Sequence, residues 1–207
     1  MTEFSRVIHA LIAGKFICQY SDNDYYQFLL KENNAEDINQ YLQRMDLSLS
    51  SLNDNQGYYC SYLKPQAHKD ELKEQFKQTI EALKPLVAFL RLIQQALNDD
   101  DIIRAGDLLR LSEIQSRIED SPLLEKQLTK LVSYSLFKSS SSDTAGKLKQ
   151  LFKRLLDLDY LSQSNPARPF YMATYKWTLL IEQLSYINER EKLELESRVD
   201  INQSDLL

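Results

Sequence analysis

The stretch from Glu3 to Leu63 decides the fold, and its sequence is EFSRVIHALIAGKFICQYSDNDYYQFLLKENNAEDINQYLQRMDLSLSSLNDNQGYYCSYL. Apolar residues recur at helical spacing from Phe4 to Ile12. Gly14 then offers the left-handed conformation that commonly ends a helix. The residues that follow, 15–19, are predicted to form a short strand.

Two more helices and a hairpin complete this stretch. The predicted elements are a second helix capped by Ser21 or Asp22, a third helix from Glu36 to Met45, and a hairpin from Leu47 to Leu63 that turns at Asn53–Gly57. Helix, strand, two helices and hairpin is the element order of a winged helix. Such a scaffold binds partners and usually carries no reaction chemistry of its own.

The same order returns, more loosely, from Leu86 to Tyr175. The predicted elements are a strand at Leu108–Leu111, helices at Ser112–Ile118, Pro122–Phe137 and Ala145–Leu158, and a hairpin that turns at Asn165–Pro169 and returns through Phe170–Tyr175. A last helix carries Trp177. The predicted fold class is therefore mainly α (α+β), with tandem winged-helix domains, a connecting helix and a C-terminal helix.

The predicted domains follow from this repeat. They are an N-terminal winged-helix domain at 1–64, a connecting helix at 65–84, a C-terminal winged-helix domain at 85–188 and a charged tail at 189–207. Pro85 interrupts a helical pattern that runs from Pro65 to Asn98. Because proline inside a helix costs about 3 kcal/mol, a kink or a restart is expected there, between the connecting helix and the second domain.

Charge is distributed unevenly along a chain whose net charge is -5. Residues 1–63 carry four basic and eight acidic side chains, whereas residues 126–176 carry nine basic and three acidic ones. This asymmetry favours an acidic half that contacts proteins and a basic region that contacts phosphate.

The basic region supplies the predicted DNA-binding residues, which are expected to contact phosphates without selecting a sequence. They are Lys147, Lys149, Lys153, Arg154, Arg168 and Lys176. Lys147, Lys149, Lys153 and Arg154 share the exposed side of one predicted helix. An ordinary solvated helix face is an equally good interpretation of that pattern.

Motifs of enzyme chemistry are missing from the sequence. Four glycines and two histidines occur in 207 residues, and neither a phosphate loop, a dinucleotide fingerprint nor a metalloprotease motif can be written. The run Asp99–Asp101 lacks the spacing and glycine of a calcium loop and is interpreted as a solvated loop or helix start. We therefore expect no catalytic residues, no metal and no cofactor.

Two further features bear on the compartment. No apolar run approaches the roughly 20 residues that span a bilayer, so a soluble cytoplasmic protein without membrane contact is expected. Cys18 and Cys60 both fall in predicted strands. They are interpreted as two small buried thiols, with a disulfide between them as the alternative.

Several segments resemble the MksE-like family, the bacterial relatives of MukE and of the small subunit of Wadjet anti-plasmid complexes. In the first half the resemblance is carried by Leu11–Ile17, Tyr26–Leu30, Ile38–Leu42, Leu47–Leu49 and Gln56–Tyr59. In the second half it is carried by Leu151–Leu161 and Phe170–Thr174, which look like the second wing of that family. It spans most of residues 1–187 and rests on patterns of apolar residues.

The resemblance implies a tandem winged-helix subunit of a bacterial SMC complex. Its implied partners are the kleisin subunit, the SMC ATPase, a second copy of itself in a homodimer, and double-stranded DNA. The implied location is the cytoplasm, in association with the nucleoid. The implied role is chromosome organisation or plasmid restriction, and the sequence does not decide between these.

Two hypotheses from other classes remain. A sequence-specific transcriptional regulator would use the helix from Glu36 to Met45 for recognition, through Asn39, Gln40 and Gln43. That helix carries only one arginine, whereas helices that recognise the major groove usually present several basic or amide side chains. A nuclease or phosphotransfer subunit is a third hypothesis, which metal-dependent turnover would support.

Overall fold

The structure is a computed structural model, and it describes residues 1–31, 33–98, 103–165, 167–185 and 189, without the side chains of 75 and 76. The predicted loop at Asp99–Asp101 lies outside these residues. So does the predicted charged tail, apart from its first residue.

The N-terminal unit holds three helices and a hairpin. Its elements are α1 (Glu3–Ile12), α2 (Asn23–Leu30), α3 (Asn34–Gln43), β1 (Leu47–Ser51), a 3-10 turn (Asn53–Asn55) and β2 (Tyr58–Tyr62). The two strands are antiparallel, from Leu47 opposite Tyr62 to Ser51 opposite Tyr58. One core forms where the apolar sides of the helices meet, and its fully buried members are Val7, Leu11, Ile38 and Leu42.

Capping residues set the ends of the first two helices. Thr2 accepts a hydrogen bond from the Ser5 N–H, and α1 ends just before Gly14, whose φ of +79° is the expected left-handed conformation. The Asp22 carboxylate accepts from the Tyr25 N–H at 3.0 Å and begins α2. The predictions for Gly14 and Asp22 are confirmed.

The predicted strand at residues 15–19 is wrong, because only Ile17 forms a bridge, with Tyr58. Side chains bind the neighbouring backbone groups instead. The Ser21 hydroxyl accepts from the Cys18 N–H at 2.8 Å and donates to the Phe16 carbonyl at 2.7 Å. The Asp159 carboxylate accepts from the Phe16 N–H. A ladder of strand hydrogen bonds therefore cannot extend beyond Ile17.

Of the two outcomes predicted at Pro85, the restart is wrong and the kink stays a prediction. After a 3-10 turn at Pro65–His68, α4 runs unbroken over Lys69–Leu97 with Pro85 inside it. Fully buried apolar side chains follow the proline, at Leu86, Phe89, Leu92 and Ile93. Each contributes about 1.5–3 kcal/mol, which together exceeds the proline cost of about 3 kcal/mol. Burial of this face therefore keeps the helix continuous.

The C-terminal unit begins with the second half of α4. Its further elements are β3 (Leu108–Arg110), α5 (Leu111–Glu119), α6 (Pro122–Leu131), a 3-10 turn (Ser135–Phe137), α7 (Thr144–Asp157), β4 (Leu161–Ser162), β5 (Phe170–Ala173) and a helix α8 at 176–185. The strands form an antiparallel sheet in the order β3–β5–β4. Its core contains an aromatic cluster, in which Phe89 stacks on Trp177 and meets Phe152 edge-on.

One helix of this unit is shorter than predicted. The pattern from Pro122 predicts a helix to Phe137, but α6 ends at Leu131 and Tyr134 is extended. The Ser133 hydroxyl donates to the Lys130 carbonyl at 2.7 Å and so satisfies a terminal acceptor of the helix. The chain can therefore turn away from the axis of α6 after Leu131.

The two units meet through a small apolar cluster, which we call the junction. Its buried members Phe16, Cys18 and Leu52 belong to the N-terminal unit, and Tyr175 and Leu179 of the C-terminal unit pack against them. The rings of Tyr20 and Tyr175 stack with centroids 5.6 Å apart.

Polar contacts also stabilise the junction. The Lys15 Nζ lies 2.9 Å from the Asp159 Oδ1, and the second oxygen of that carboxylate accepts from the Phe16 N–H at 3.3 Å. Nearby, the Asn53 amide donates to the Glu182 carboxylate.

Over the described residues, the chain is mainly helical with two small sheets, which confirms the predicted mainly α (α+β) class. None of the described helices is both long and apolar enough to cross a membrane. Cys18 and Cys60 are free thiols, the first buried and the second half-buried.

Candidate nucleic-acid interface

The helix α7 separates apolar from basic side chains. Asp143 caps it by accepting from the Gly146 N–H at 3.0 Å. Leu148, Leu151, Phe152 and Leu155 recur every three or four residues and are fully buried. Because this stripe faces the core, Lys149, Lys153 and Arg154 are placed on the opposite side and are exposed.

A groove of about 700 Å³ lies between the outer side of α7 and the segment 135–140. We call it the α7 groove. Lys153 and Arg154 line it from the helix, and Lys138, Ser139 and Ser140 line it from the segment. Within the part of the chain that the structure describes, Asp157 is the one acidic residue that lines it. Three cations line the groove together with three hydroxyl groups, those of Ser135, Ser139 and Ser140, and these match the donors that bind phosphate oxygens.

Lys138 is a groove residue that the sequence pattern does not identify. The pattern from Pro122 predicts one helix to Phe137, which places Lys138 merely after its end. Since α6 ends at Leu131, the chain turns and brings Lys138 beside Lys153 and Arg154 in the α7 groove. The feature of the sequence that could have identified Lys138 is its position directly before the serine run Ser139–Ser142.

Two predicted residues lie on α7 but do not line the groove. Lys149 is exposed one turn before Lys153, on the same side of the helix. Lys147 is half-buried, and its Nζ donates to the Thr129 hydroxyl of α6 at 3.2 Å. Lys147 therefore bridges two helices, whereas Lys149 extends the basic surface along α7.

Arg168 lies in the turn between β4 and β5 and is exposed. Its carbonyl accepts from the Gln163 amide at 2.6 Å, and the Ala167 N–H donates to the Asn165 side chain at 2.9 Å. These bonds order the turn, so Arg168 is presented on a second element of the same unit.

Lys176 lies apart from the α7 groove, at the start of α8. It is half-buried, and its Nζ lies 5.4 Å from the centre of the Tyr160 ring. Burial lowers the pKa of Lys176; the charge of Asp159 opposes the shift, and that of Lys15 adds to it. The structure thus places Lys176 beside the junction rather than with the other predicted residues.

The side chains of α3 are relevant to the hypothesis of a transcriptional regulator, because that hypothesis uses this helix to recognise a DNA sequence. The Asn39 carbonyl oxygen accepts from the Leu49 N–H at 3.0 Å and from the Ser48 hydroxyl at 3.3 Å. The Gln40 amide donates to Glu36 at 3.4 Å, within α3. Asn39 is therefore engaged in joining α3 to β1, whereas Gln40 and Gln43 are both exposed.

Comparison with known proteins bears on the whole chain. The protein family described as condensin complex protein MksE matches residues 2–173, a range that holds the elements of the N-terminal unit and those of the C-terminal unit up to the end of β5. No curated protein matches the chain.

Proposed function

Because the chain belongs to the MksE family of condensin complex proteins, we propose that it is a non-catalytic subunit of a bacterial SMC complex that binds the kleisin, pairs with a second copy and contacts DNA. The family accounts for the membership in a condensin-like complex. The remaining parts of the proposal rest on the two units and on the α7 groove.

The proposed architecture is a tandem winged helix. In the N-terminal unit a helix and a bridging residue precede two helices and a hairpin, and in the C-terminal unit a strand, three helices and a hairpin follow α4. The sheet order β3–β5–β4 places the first strand of the unit beside the last strand of its hairpin. Both arrangements support the winged-helix interpretation and domains near 1–64 and 85–188.

The α7 groove carries the proposal of DNA contact. Its Lys138, Lys153 and Arg154 come from two different segments, and Lys149 continues the basic surface along the helix. Such contacts neutralise phosphates, which gives affinity without sequence selection. The engagement of Asn39 within its own unit supports binding of this kind over recognition of an operator.

Replacement of Lys149, Lys153 and Arg154 by glutamate tests this contact. We expect the triple variant to bind a random-sequence duplex of about 30 base pairs at least about tenfold more weakly at moderate salt, measured by fluorescence anisotropy. The dependence of log K on log salt concentration should also flatten, by about 0.9 for each phosphate that the variant no longer neutralises.

A matched control is available on α4. Lys69, Lys73 and Lys77 are exposed and lie outside the α7 groove. Their replacement by glutamate makes the same change in net charge and should leave most of the affinity in place. Equal affinity of the two triple variants would remove the α7 groove from the proposal.

The partners are tested by co-purification. We expect the tagged chain, co-expressed with the products of its neighbouring genes, to recover a large coiled-coil ATPase and a kleisin. Mass spectrometry identifies both. Recovery of this chain alone, as a dimer that selects one short duplex from a random pool, would instead make it a transcriptional regulator.

The proposed location is the cytoplasm, at the nucleoid. Whether the complex organises the chromosome or restricts plasmids depends on its other subunits. Plasmid retention and nucleoid shape in a deletion strain would separate the two roles.

A further inference from the structure

A second groove, of about 620 Å³, lies on the C-terminal unit between α4, α6 and α8. We call it the α4–α6 groove. Its floor is apolar and includes Leu83, Val87 and Ala88 of α4 together with Tyr134 and Leu184. These five side chains are half-buried, so each still presents apolar surface to solvent. A strip of this kind is typical of a site for a protein segment.

Among the described residues, the charged side chains that line this groove are all basic. They are Lys84, Arg91 and Lys130, in a chain with more acidic than basic residues. None of the three forms a salt bridge with a carboxylate of the described residues. Lys84 is held over the ring of Tyr134, with its Nζ 5.8 Å from the ring centre. The groove therefore offers three available cations around an apolar floor.

The length of the groove fits a helix of about three turns. Lys84, Val87, Ala88, Arg91 and Gln95 are spaced by three or four residues, so they form one stripe along α4. At 1.5 Å per residue this stripe is about 16 Å long, the length of about 11 helical residues. Lys84 and Arg91 lie in the same stripe, seven residues apart, so a helix beside it would place apolar side chains against Val87 and Ala88 and carboxylates within reach of the long side chains of Lys84 and Arg91.

We propose that the α4–α6 groove binds an amphipathic helix of another protein whose flanking side chains are acidic. The apolar floor matches the apolar side of such a helix, and the basic rim matches the carboxylates beside it. Nucleic acid fits this floor less well, because aliphatic side chains offer no hydrogen bonds to phosphates. The inference rests on the proposed function, in which the chain is one subunit of a complex.

A photo-cross-linking experiment in the co-purified complex tests the occupant. Gln95 lines the groove and is exposed, so p-benzoylphenylalanine at this position should not disturb the core. Lys77 is exposed on the same helix outside the groove and serves as the matched position. We expect position 95, and not position 77, to cross-link to a partner segment with apolar residues at helical spacing and an excess of carboxylates. Mass spectrometry identifies the segment.

Charge reversal then measures the contribution of the rim. A fluorescein-labelled synthetic peptide of the cross-linked segment should bind the full chain, and replacement of Lys84 and Arg91 by glutamate should weaken binding at least about tenfold. The control variant replaces Lys73 and Lys77 by glutamate on the same helix. Thermal unfolding of both variants checks that the fold is retained.

Several outcomes would overturn the proposal. They are a cross-link to DNA, to a second copy, to residues 186–207 of the same chain or to a segment that is not acidic, and equal peptide affinity of the two charge variants. If the ATPase co-purifies but one of these results is obtained, binding of an acidic helix in the α4–α6 groove is rejected and the proposed function is kept. Recovery of the chain alone would reject the groove and the proposed function together.

Discussion

At the scale of single residues, Asp159 joins the two units through both oxygens of its carboxylate. Its φ of +60° is a left-handed conformation that aspartate and asparagine tolerate better than alanine. One carboxylate oxygen binds Lys15 and the other accepts from the Phe16 N–H. Its own carbonyl accepts from the buried Thr174 hydroxyl at 2.6 Å.

Two substitutions at Asp159 should separate the contribution of its charge to stability from the contribution of its hydrogen bond. Asp159→Asn keeps an acceptor for the Phe16 N–H, so we expect a loss of about 1 kcal/mol in the free energy of unfolding. Asp159→Ala also loses that acceptor and adopts a strained φ, so a loss of about 2–3 kcal/mol is expected. Urea denaturation measures both. Equal losses would show that the ion pair with half-exposed Lys15 is the whole contribution.

Tyr160 should make the protein sensitive to alkali. Burial raises the pKa of Tyr160 above its ordinary value of 10.0. The unfolded chain therefore ionises first, so the stability present below pH 10 is lost as the pH rises further, by up to about 1.4 kcal/mol per pH unit. Tyr160→Phe should reduce this loss, because no described residue forms a hydrogen bond with that hydroxyl.

Chemical denaturation at about pH 8 and about pH 11 tests the effect. Burial also raises the pKa of Tyr58, Tyr59 and Tyr171, so the variant should keep part of the wild-type sensitivity. The lowered pKa of Lys176 acts in the opposite direction. Tyr41→Phe, at a residue that is 42% exposed, is the control and should match the wild type. An unchanged pH dependence in Tyr160→Phe would contradict the prediction.

At the scale of elements, α4 shows how tertiary burial overrides local preference. Pro85 removes the hydrogen bond to the Glu81 carbonyl, but α4 continues through it. Pro85→Ala restores that donor, and we expect stabilisation by about 1–2 kcal/mol, since a buried ring is lost in exchange for the bond. The melting temperature should rise by about 2–8 °C in thermal denaturation.

Pro122 provides the matched position. It lies in the first turn of α6, where proline replaces a donor that has no partner within the helix. Pro122→Ala should therefore leave stability unchanged or slightly lower it. Destabilisation by Pro85→Ala would instead show that the proline shapes α4 for packing on the C-terminal unit.

Periodicity and capping predict most elements, and apart from the continuity of α4 through Pro85 the exceptions share one physical cause. The buried stripe of α7 and the turn of the first hairpin follow from residue spacing alone. The single bridge at Ile17 and the end of α6 are set by Asp159, Ser21 and Ser133, whose side chains bind backbone groups. Such competition between side chains and backbone depends on partners that periodicity does not identify.

The candidate site is predictable only in part, for the same reason. Lys149, Lys153 and Arg154 follow from the buried stripe of α7, because one face of a helix determines the other. Lys138 joins them only through the early end of α6. Lys176 has the expected charge, but folding half-buries it beside Tyr160.

At the scale of the whole molecule, the junction determines whether the two units behave as one. It is built from residues far apart in the sequence, such as Tyr20 and Tyr175, so no local pattern predicts it. Gly106 precedes β3 and approaches the same tyrosine. A Cβ atom at this glycine would lie 2.8 Å from the Tyr20 hydroxyl.

A pair of glycine substitutions isolates the junction. Gly14 and Gly106 both have left-handed φ values, of +79° and +95°, but a Cβ atom at Gly14 would meet nothing within 4 Å. Gly14→Ala should cost about 1 kcal/mol, from conformation alone. Gly106→Ala should cost at least about 1 kcal/mol more, because Tyr20 must move away from its stack on Tyr175.

The same substitutions made in a Tyr20→Ala background test whether that excess arises at the junction. Without the Tyr20 ring, Gly106→Ala should cost no more than Gly14→Ala, which gives a coupling free energy of about 1 kcal/mol in a double-mutant cycle. Urea denaturation followed by fluorescence of Trp177 in the C-terminal unit measures it. If the excess cost persists without the ring, the strain lies within the C-terminal unit. A fall to the Gly14→Ala value would show that the excess cost arises at the junction, from the contact of the new Cβ atom with Tyr20.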